Sequence, residues 1–160
     1  MTVYMKGSGM TAPTTGRVQL ALNVGDLEAS IGFYSTLFGV PPHKVRSGYA
    51  NFAIEEPPLK LVLIEGSDGG TINHLGVEVA DSEAVDAAAT RFDIGGLATE
   101  KEAEVTCCHA LQHKVWVTAP DGERWEYYRV IADVESPPGN HDSFDGSDCC
   151  SDTTASSVAV

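Results

Sequence analysis

The sequence predicts an α+β fold assembled from two copies of one βαβββ unit, and three observations predict it. The stretch VQLALNVGDLE at Val18–Glu28 aligns without a gap on NHLGVEVADSE at Asn73–Glu83. Leu20 matches Leu75, Leu22 matches Val77, Val24 matches Val79, Asp26 matches Asp81 and Glu28 matches Glu83. In both copies an alternation of apolar and other residues, the period of a half-buried strand, gives way behind an aspartate to helical spacing. Each helical pattern is followed by three strand-like segments separated by turn residues.

In the first module, residues 17–66, the opening strand leads to a helix with Leu27, Ile31, Tyr34 and Phe38 on one stripe, Asp26 as its N-cap and Gly39 as its stop. Strands are expected near Lys44–Gly48, Tyr49–Ile54 and Lys60–Glu65, punctuated by Pro57-Pro58 and by Ser67-Asp68-Gly69-Gly70. In the second module, residues 71–132, the helix DSEAVDAAATRFDIGG leads to strands TEKEAEV, HKVWVTA and, after the turn Pro120-Asp121-Gly122, RWEYYRV. Residues 17–132 are thus expected to form the folded unit.

The ends read differently. Residues 1–16 lack periodicity and carry a second Met after Gly-Ser-Gly, which suits a vector-derived leader and flexible N-terminus ahead of a native start at Met10. Residues 133–160 are rich in Asp, Ser, Gly and Pro, contain no Lys or Arg, and bury too little to offset the entropy of ordering, so a disordered acidic tail is expected.

A formal charge of −13 disfavours a nucleic-acid or anionic-membrane partner. No apolar run approaches the roughly 20 residues that span a bilayer. All four cysteines occur as neighbours, Cys107-Cys108 and Cys149-Cys150, and adjacent cysteines bridge each other only with strain. Reduced thiols and a cytoplasmic location are expected.

If Leu20, Leu22 and Val24 pack on the helices, Gln19, Ala21 and Asn23 face the other way. In the repeat His74, Gly76 and Glu78 share that face, opposite Leu75, Val77 and Val79. On the last strand Glu126 has Trp125 and Tyr127 as opposite-face neighbours, while Tyr128 shares its side and is a candidate substrate contact. Taken singly, a strand histidine is more often a hydrogen-bonded structural residue and a strand glutamate is usually solvated. The repeat and its matching register single these positions out.

Two such units, with potential ligands on the first strand of each and on the last strand, resemble the vicinal oxygen chelate superfamily of glyoxalases, extradiol dioxygenases and antibiotic-resistance proteins. The resemblance implies that each module curls into a half-barrel and that the pair holds a divalent metal on its inner faces, with Gln19, His74 and Glu126 as metal ligands. A glyoxalase-type fourth ligand would be a carboxylate on the last strand of the first module, where Leu61 aligns and Glu65 is the nearest carboxylate of the expected parity. One imidazole, one carboxylate and one amide oxygen leave open positions, which suits non-haem Fe(II) and oxygen chemistry.

The octapeptide TCCHALQH, Thr106–His113, has several readings. Cys107, Cys108, His109 and His113 would make a zinc site, although adjacent cysteines depart from the usual ligand spacing. The cysteines would also serve as small buried hydrophobes. As a reduced dithiol, they form a two-point ligand for a soft ion such as trivalent arsenic. Cys149-Cys150, in SDCCSD, is either a soft-metal catcher or a remnant.

A vicinal cysteine pair before HKVWVTAPDGERWEYY, together with NHLGVEV, closely resembles the organoarsenical carbon–arsenic lyases and the cadmium-inducible proteins grouped with them, over about Val18–Val130. That resemblance implies an Fe(II)- and dioxygen-dependent enzyme that cleaves trivalent organoarsenicals such as methylarsenite or trivalent aromatic arsenicals and releases arsenite. Cys107 and Cys108 would hold the arsenic on a loop over the metal mouth, with Lys114 or a nearby histidine lowering the thiol pKa. The segment Glu100–Leu111 is expected to be a lid, mobile without ligand. Two other functions stay open: a non-catalytic protein that sequesters Cd(II) or arsenicals through its thiols, and a glyoxalase-type metalloenzyme. A homodimer is also left open.

Overall fold

The computed structural model describes residues 16–107 and 110–134. The expected leader and nearly all of the expected tail lie outside the described residues, as do Cys108, His109, Cys149 and Cys150. The elements run β1 (Arg17–Val24), α1 (Leu27–Phe38), β2 (Lys44–Arg46), β3 (Tyr49–Ile54), β4 (Leu59–Glu65), β5 (Thr71–Glu78), α2 (Ser82–Ile94), β6 (Thr99–Cys107), β7 (Ala110–Thr118) and β8 (Arg124–Asp133). This is βαβββ twice, as the repeat predicts.

The strands form one mixed sheet in the order β2-β3-β4-β1-β5-β8-β7-β6. Each module closes on itself by a parallel pair, β1 with β4 and β5 with β8. Antiparallel pairing of β1 with β5 joins the modules, so the two repeated strands lie side by side at the centre. That placement brings the first strand of each module and the last strand of the second within reach of one another.

The helices lie on one face because the alternating apolar residues demand it. Leu61 and Leu63 of β4 with Ala50, Phe52 and Ile54 of β3 form the core under α1, joined by Leu20, Leu22, Ile31, Tyr34 and Phe38. Val79, Val85, Ala89 and Val115 form a smaller core under α2, with Val77, Phe92 and Tyr127 packed against it. Asp26 and Asp81 cap the helices by accepting from the amides of Ala29 and Ala84 at 2.9 and 2.8 Å. Gly39 ends α1 in the left-handed conformation, φ 69°, where its amide reaches the Ser35 carbonyl. Replacing either aspartate by alanine is expected to cost about 1 kcal/mol, read as a lower thermal midpoint.

The opposite face carries the polar alternation. β6, β7 and the end of β8 extend past β5, whose ladder with β8 stops at Glu78–Tyr128. The β8 terminus reaches the far edge of the sheet, where Lys44 of β2 ion-pairs with Asp133. Asp133 therefore belongs to the fold, one residue beyond its expected end.

Candidate metal centre

Register places Gln19 on β1, Gly76 on β5 and Glu126 on β8 in one row across the sheet, with His74 two residues away on β5. Gly76 has no side chain, so its neighbours meet above it. Gln19 Nε2 donates to Glu126 Oε1 at 2.6 Å and lies 3.1 Å from His74 Nε2, which is 3.3 Å from Glu126 Oε1. A Cβ at position 76 would fill that cradle, 3.0 Å from Glu126 Cγ, 3.1 Å from the Glu126 carbonyl oxygen and 3.3 Å from Gln19 Cβ. Gln19, His74 and Glu126 are 3%, 5% and 5% exposed, too little for water to satisfy their polar atoms.

Each of the three is held from behind. Asn73 donates through Nδ2 to Asn23 Oδ1 at 2.9 Å, which leaves its own oxygen facing His74 Nδ1 at 2.7 Å. In the neutral imidazole the proton then sits on Nδ1, and Nε2 turns its lone pair into the site. Tyr128 Oη donates to Gln19 Oε1. Lys114 Nζ donates to Glu126 Oε2 at 3.3 Å, so the other carboxylate oxygen faces the cradle. Trp116 walls the site, edge-on to His74 at 5.3 Å between ring centroids.

Burial pushes the Glu126 carboxyl up. In the metal-free site, with a proton on His74 Nε2, the hydrogen bond from His74, the Lys114 ammonium and the Gln19 amide outweigh that and hold it at about 2. Burial, then the charges of Glu78 and Glu126, hold the Tyr128 phenol well above its usual range, so Tyr128 is a neutral donor at physiological pH.

The donor set fits a divalent ion. In the neutral imidazole, His74 Nε2 and Glu126 Oε1 turn lone pairs toward each other, with Gln19 Nε2 as the donor they share. Gln19 offers its oxygen to a cation only with its amide in the opposite sense. Among the described residues no three His, Cys, Asp or Glu side chains converge, in keeping with a set whose third member is an amide.

Other expected positions lie elsewhere. Glu65 lacks the inner-face parity expected of it: in the β1–β4 register Gln19 stands opposite Lys60, so Lys60, Val62 and Ile64 face inward while Leu61, Leu63 and Glu65 face the helix. Glu65 Oε1 accepts from the Leu27 amide at 2.9 Å, capping α1, and Leu61 is core. The inner face of β4 thus offers a lysine where a glyoxalase-type fourth carboxylate would stand. His113 is 2.9 Å from Asp86 of α2, on the helix side, and away from the metal candidates.

The expected loop over the mouth is a ribbon instead. Glu100–Cys107 and Ala110–Leu111 belong to β6 and β7, paired from Thr99–Val117 to Cys107–Ala110. The ladder slips between Glu102 and Val105, with Glu104 at φ 54°, which bends the ribbon. Cys107 stands opposite Ala110, six residues along β7 from Trp116, roughly 20 Å of strand from the triad's row. Sequence reasoning did not assign Asn73, Lys60 or the contact of Lys114 with Glu126, because cross-strand register decides all three.

A βαβββ pair with this inward-facing set defines a class. The chain belongs to the glyoxalase/bleomycin resistance protein/dioxygenase superfamily, whose family profile matches residues 16–127. It is 60% identical over 140 residues to the cadmium-induced protein CadI of Mycobacterium tuberculosis, covering 84% of this chain and 92% of that one. It is 57% identical over 146 residues to the trivalent organoarsenical cleaving enzyme of Thermomonospora curvata, covering 90% and 94%. Among solved structures, an extradiol ring-cleaving dioxygenase from Brevibacterium fuscum matches with a TM-score of 0.56 at 23% identity, over 78% of this chain and 35% of that one. The Mn(II)-bound glyoxalase from Novosphingobium aromaticivorans matches at 0.56 and 20%, over 79% and 44%. These two likenesses concern the fold.

Proposed function

We propose that this protein is an Fe(II)- and dioxygen-dependent carbon–arsenic lyase that converts trivalent organoarsenicals, methylarsenite or trivalent aromatic arsenicals, to arsenite. The observation that carries the reading is the convergence of Gln19, His74 and Glu126 in a buried cradle, in a chain 57% identical to a trivalent organoarsenical cleaving enzyme. Iron, when bound there, supplies activation of dioxygen. The protein's own groups hold the ligands: Asn73 keeps the His74 lone pair inward, and Lys114 occupies one oxygen of Glu126 so that the other is presented. Tyr128 donates to Gln19 Oε1 as the amide stands, and with the amide reversed to offer its oxygen inward the phenol oxygen would accept from Nε2. A metal centre is a demanding environment for a loose substrate. Cys107 and Cys108 grip arsenic as thiolates while its carbon substituent stays free.

The location that goes with reduced thiols is the cytoplasm. Among the described residues no helix is long and apolar enough to cross a membrane. A second reading, sequestration of Cd(II) or arsenicals by the same thiols without turnover, is favoured by the similarity to a protein named for cadmium induction. The lysine on β4 weighs against a glyoxalase-type four-ligand centre.

Purified protein supplied with Fe(II), dioxygen and methylarsenite is expected to release arsenite. Cys107→Ser is expected to lower kcat/KM about 100-fold, the loss that follows when a two-point grip becomes one-point. Stoichiometric binding without arsenite release would overturn the lyase in favour of sequestration, and undiminished activity of the serine variant would remove the thiol grip.

A further inference from the structure

One group of charged residues at the site has no part in holding the metal candidates. Arg17 and Lys60 share a single buried carboxylate, Glu78: Arg17 Nε is 2.5 Å from Glu78 Oε2 and Lys60 Nζ is 3.4 Å from Oε1. The Glu78 side chain is 5% exposed, and those of Arg17 and Lys60 are 17% and 13% exposed, so two cations that keep some exposure face one anion that keeps almost none. Arg17 and Lys60 are neighbours of the triad by register. Lys60 stands beside Gln19 on the next strand, and Arg17, Glu78 and Tyr128 form the adjacent row. The Lys60 ammonium lies over the Tyr128 ring at 5.2 Å, and Tyr128 holds Gln19.

This arrangement departs from the rest of a chain whose net charge is −13. Placing two cations on one buried carboxylate leaves about one positive charge unmatched within this group, a costly arrangement without a partner anion. Among the described residues, the side-chain hydrogen bonds of Arg17 and Lys60 go to Glu78 alone. Arg17 thus uses one of its five N–H donors and Lys60 one of three, which leaves donor capacity for an incoming carboxylate.

We infer that Arg17 and Lys60 form an anion-binding subsite next to the Gln19–His74–Glu126 cradle, which takes an anionic substituent on the organic group of the arsenical. The inference rests on the arsenical reading above and specifies its substrate class: aryl arsenicals that carry a carboxylate or similar anion, in preference to neutral ones. The spacing suits this class. One strand repeat, about 7 Å, separates the two rows, comparable to the reach of an aryl ring with a para substituent.

The test measures binding of phenylarsenous acid and 4-carboxyphenylarsenous acid to the metal-free, reduced protein by isothermal titration calorimetry. Wild type is expected to bind the carboxylated compound about tenfold more tightly, equivalent to about 1.4 kcal/mol. In Lys60→Met that ratio is expected to fall to about one, and in Lys60→Arg to be retained. A circular dichroism melt on each variant identifies any that fails to fold, and Arg17→Gln, expected to reduce the same ratio, then replaces it. Equal affinity of wild type for the two compounds overturns the subsite and leaves the arsenical reading standing. Binding of neither compound overturns both. A ratio unchanged in both folded neutral variants shows the cations to be structural and overturns the subsite.

Discussion

Glu126→Gln is expected to abolish metal binding in the micromolar range while leaving the sheet intact. The substitution keeps the shape of the side chain and removes the one buried carboxylate that faces His74 Nε2. The loss should exceed the roughly 10–100-fold that removal of an outer-shell partner costs, because here the ligand itself is neutralised. Anaerobic titration with Fe(II), followed through the fluorescence of Trp116 beside His74, measures it. Wild-type affinity in the variant would remove Glu126 from the ligand set.

The same substitution has a signature in acid. The folded-state Glu126 carboxyl sits at about 2, below its ordinary 4.5. A depressed value contributes stability that is fully present above pH about 4.5 and is lost as pH falls toward 2. The contribution is on the order of 3 kcal/mol. The metal-free wild type is therefore expected to lose more stability across that window than Glu126→Gln, as urea midpoints at successive pH values would show. Parallel losses in the two proteins would mean that other carboxylates govern the acid limb.

Gly76→Val is the second large effect expected. Its Cβ would meet Glu126 Cγ at 3.0 Å and the Glu126 carbonyl oxygen at 3.1 Å. The side-chain contact can relax by a rotamer change, but the carbonyl belongs to the β5–β8 ladder and cannot. Overpacking of this kind costs about 1–3 kcal/mol. The larger consequence is functional: a side chain between Gln19 and Glu126 separates two groups now 2.6 Å apart. Metal binding is expected to be lost even in variant protein that remains folded by circular dichroism. A folded Gly76→Val protein that binds Fe(II) like wild type would show that the cradle does not need the gap.

The fold was legible because it is written twice. The match of Val18–Glu28 to Asn73–Glu83 predicts two modules, and both capping aspartates act as the pattern implies. Period-two alternation was enough to put Gln19, His74, Glu126 and Tyr128 on one face, since a strand has only two. It was not enough for β4. Counting from Leu61 and Glu65 leads to the wrong face, and only the pairing of Gln19 with Lys60 shows that Glu65 caps a helix while a lysine faces the cup. The cysteine segment misled for a related reason. TEKEAEV and HKVWVTA read as strands, but nothing local says that their ladder continues to Cys107–Ala110, which turns an expected loop into a ribbon.

By itself the sequence determined the modular architecture, the shared face of Gln19, His74 and Glu126 and the presence of a dithiol, because these depend on periodicity and residue type along one strand at a time. The tertiary structure alone decided which residues become neighbours. It set Gly76 between Gln19 and Glu126, placed Asn73 behind His74 and Lys114 behind Glu126, and gathered Arg17 and Lys60 on one carboxylate. Those contacts follow from register between strands distant in sequence. Register is chosen by the packing of the whole sheet against both helices, a long-range balance that no local window of sequence contains.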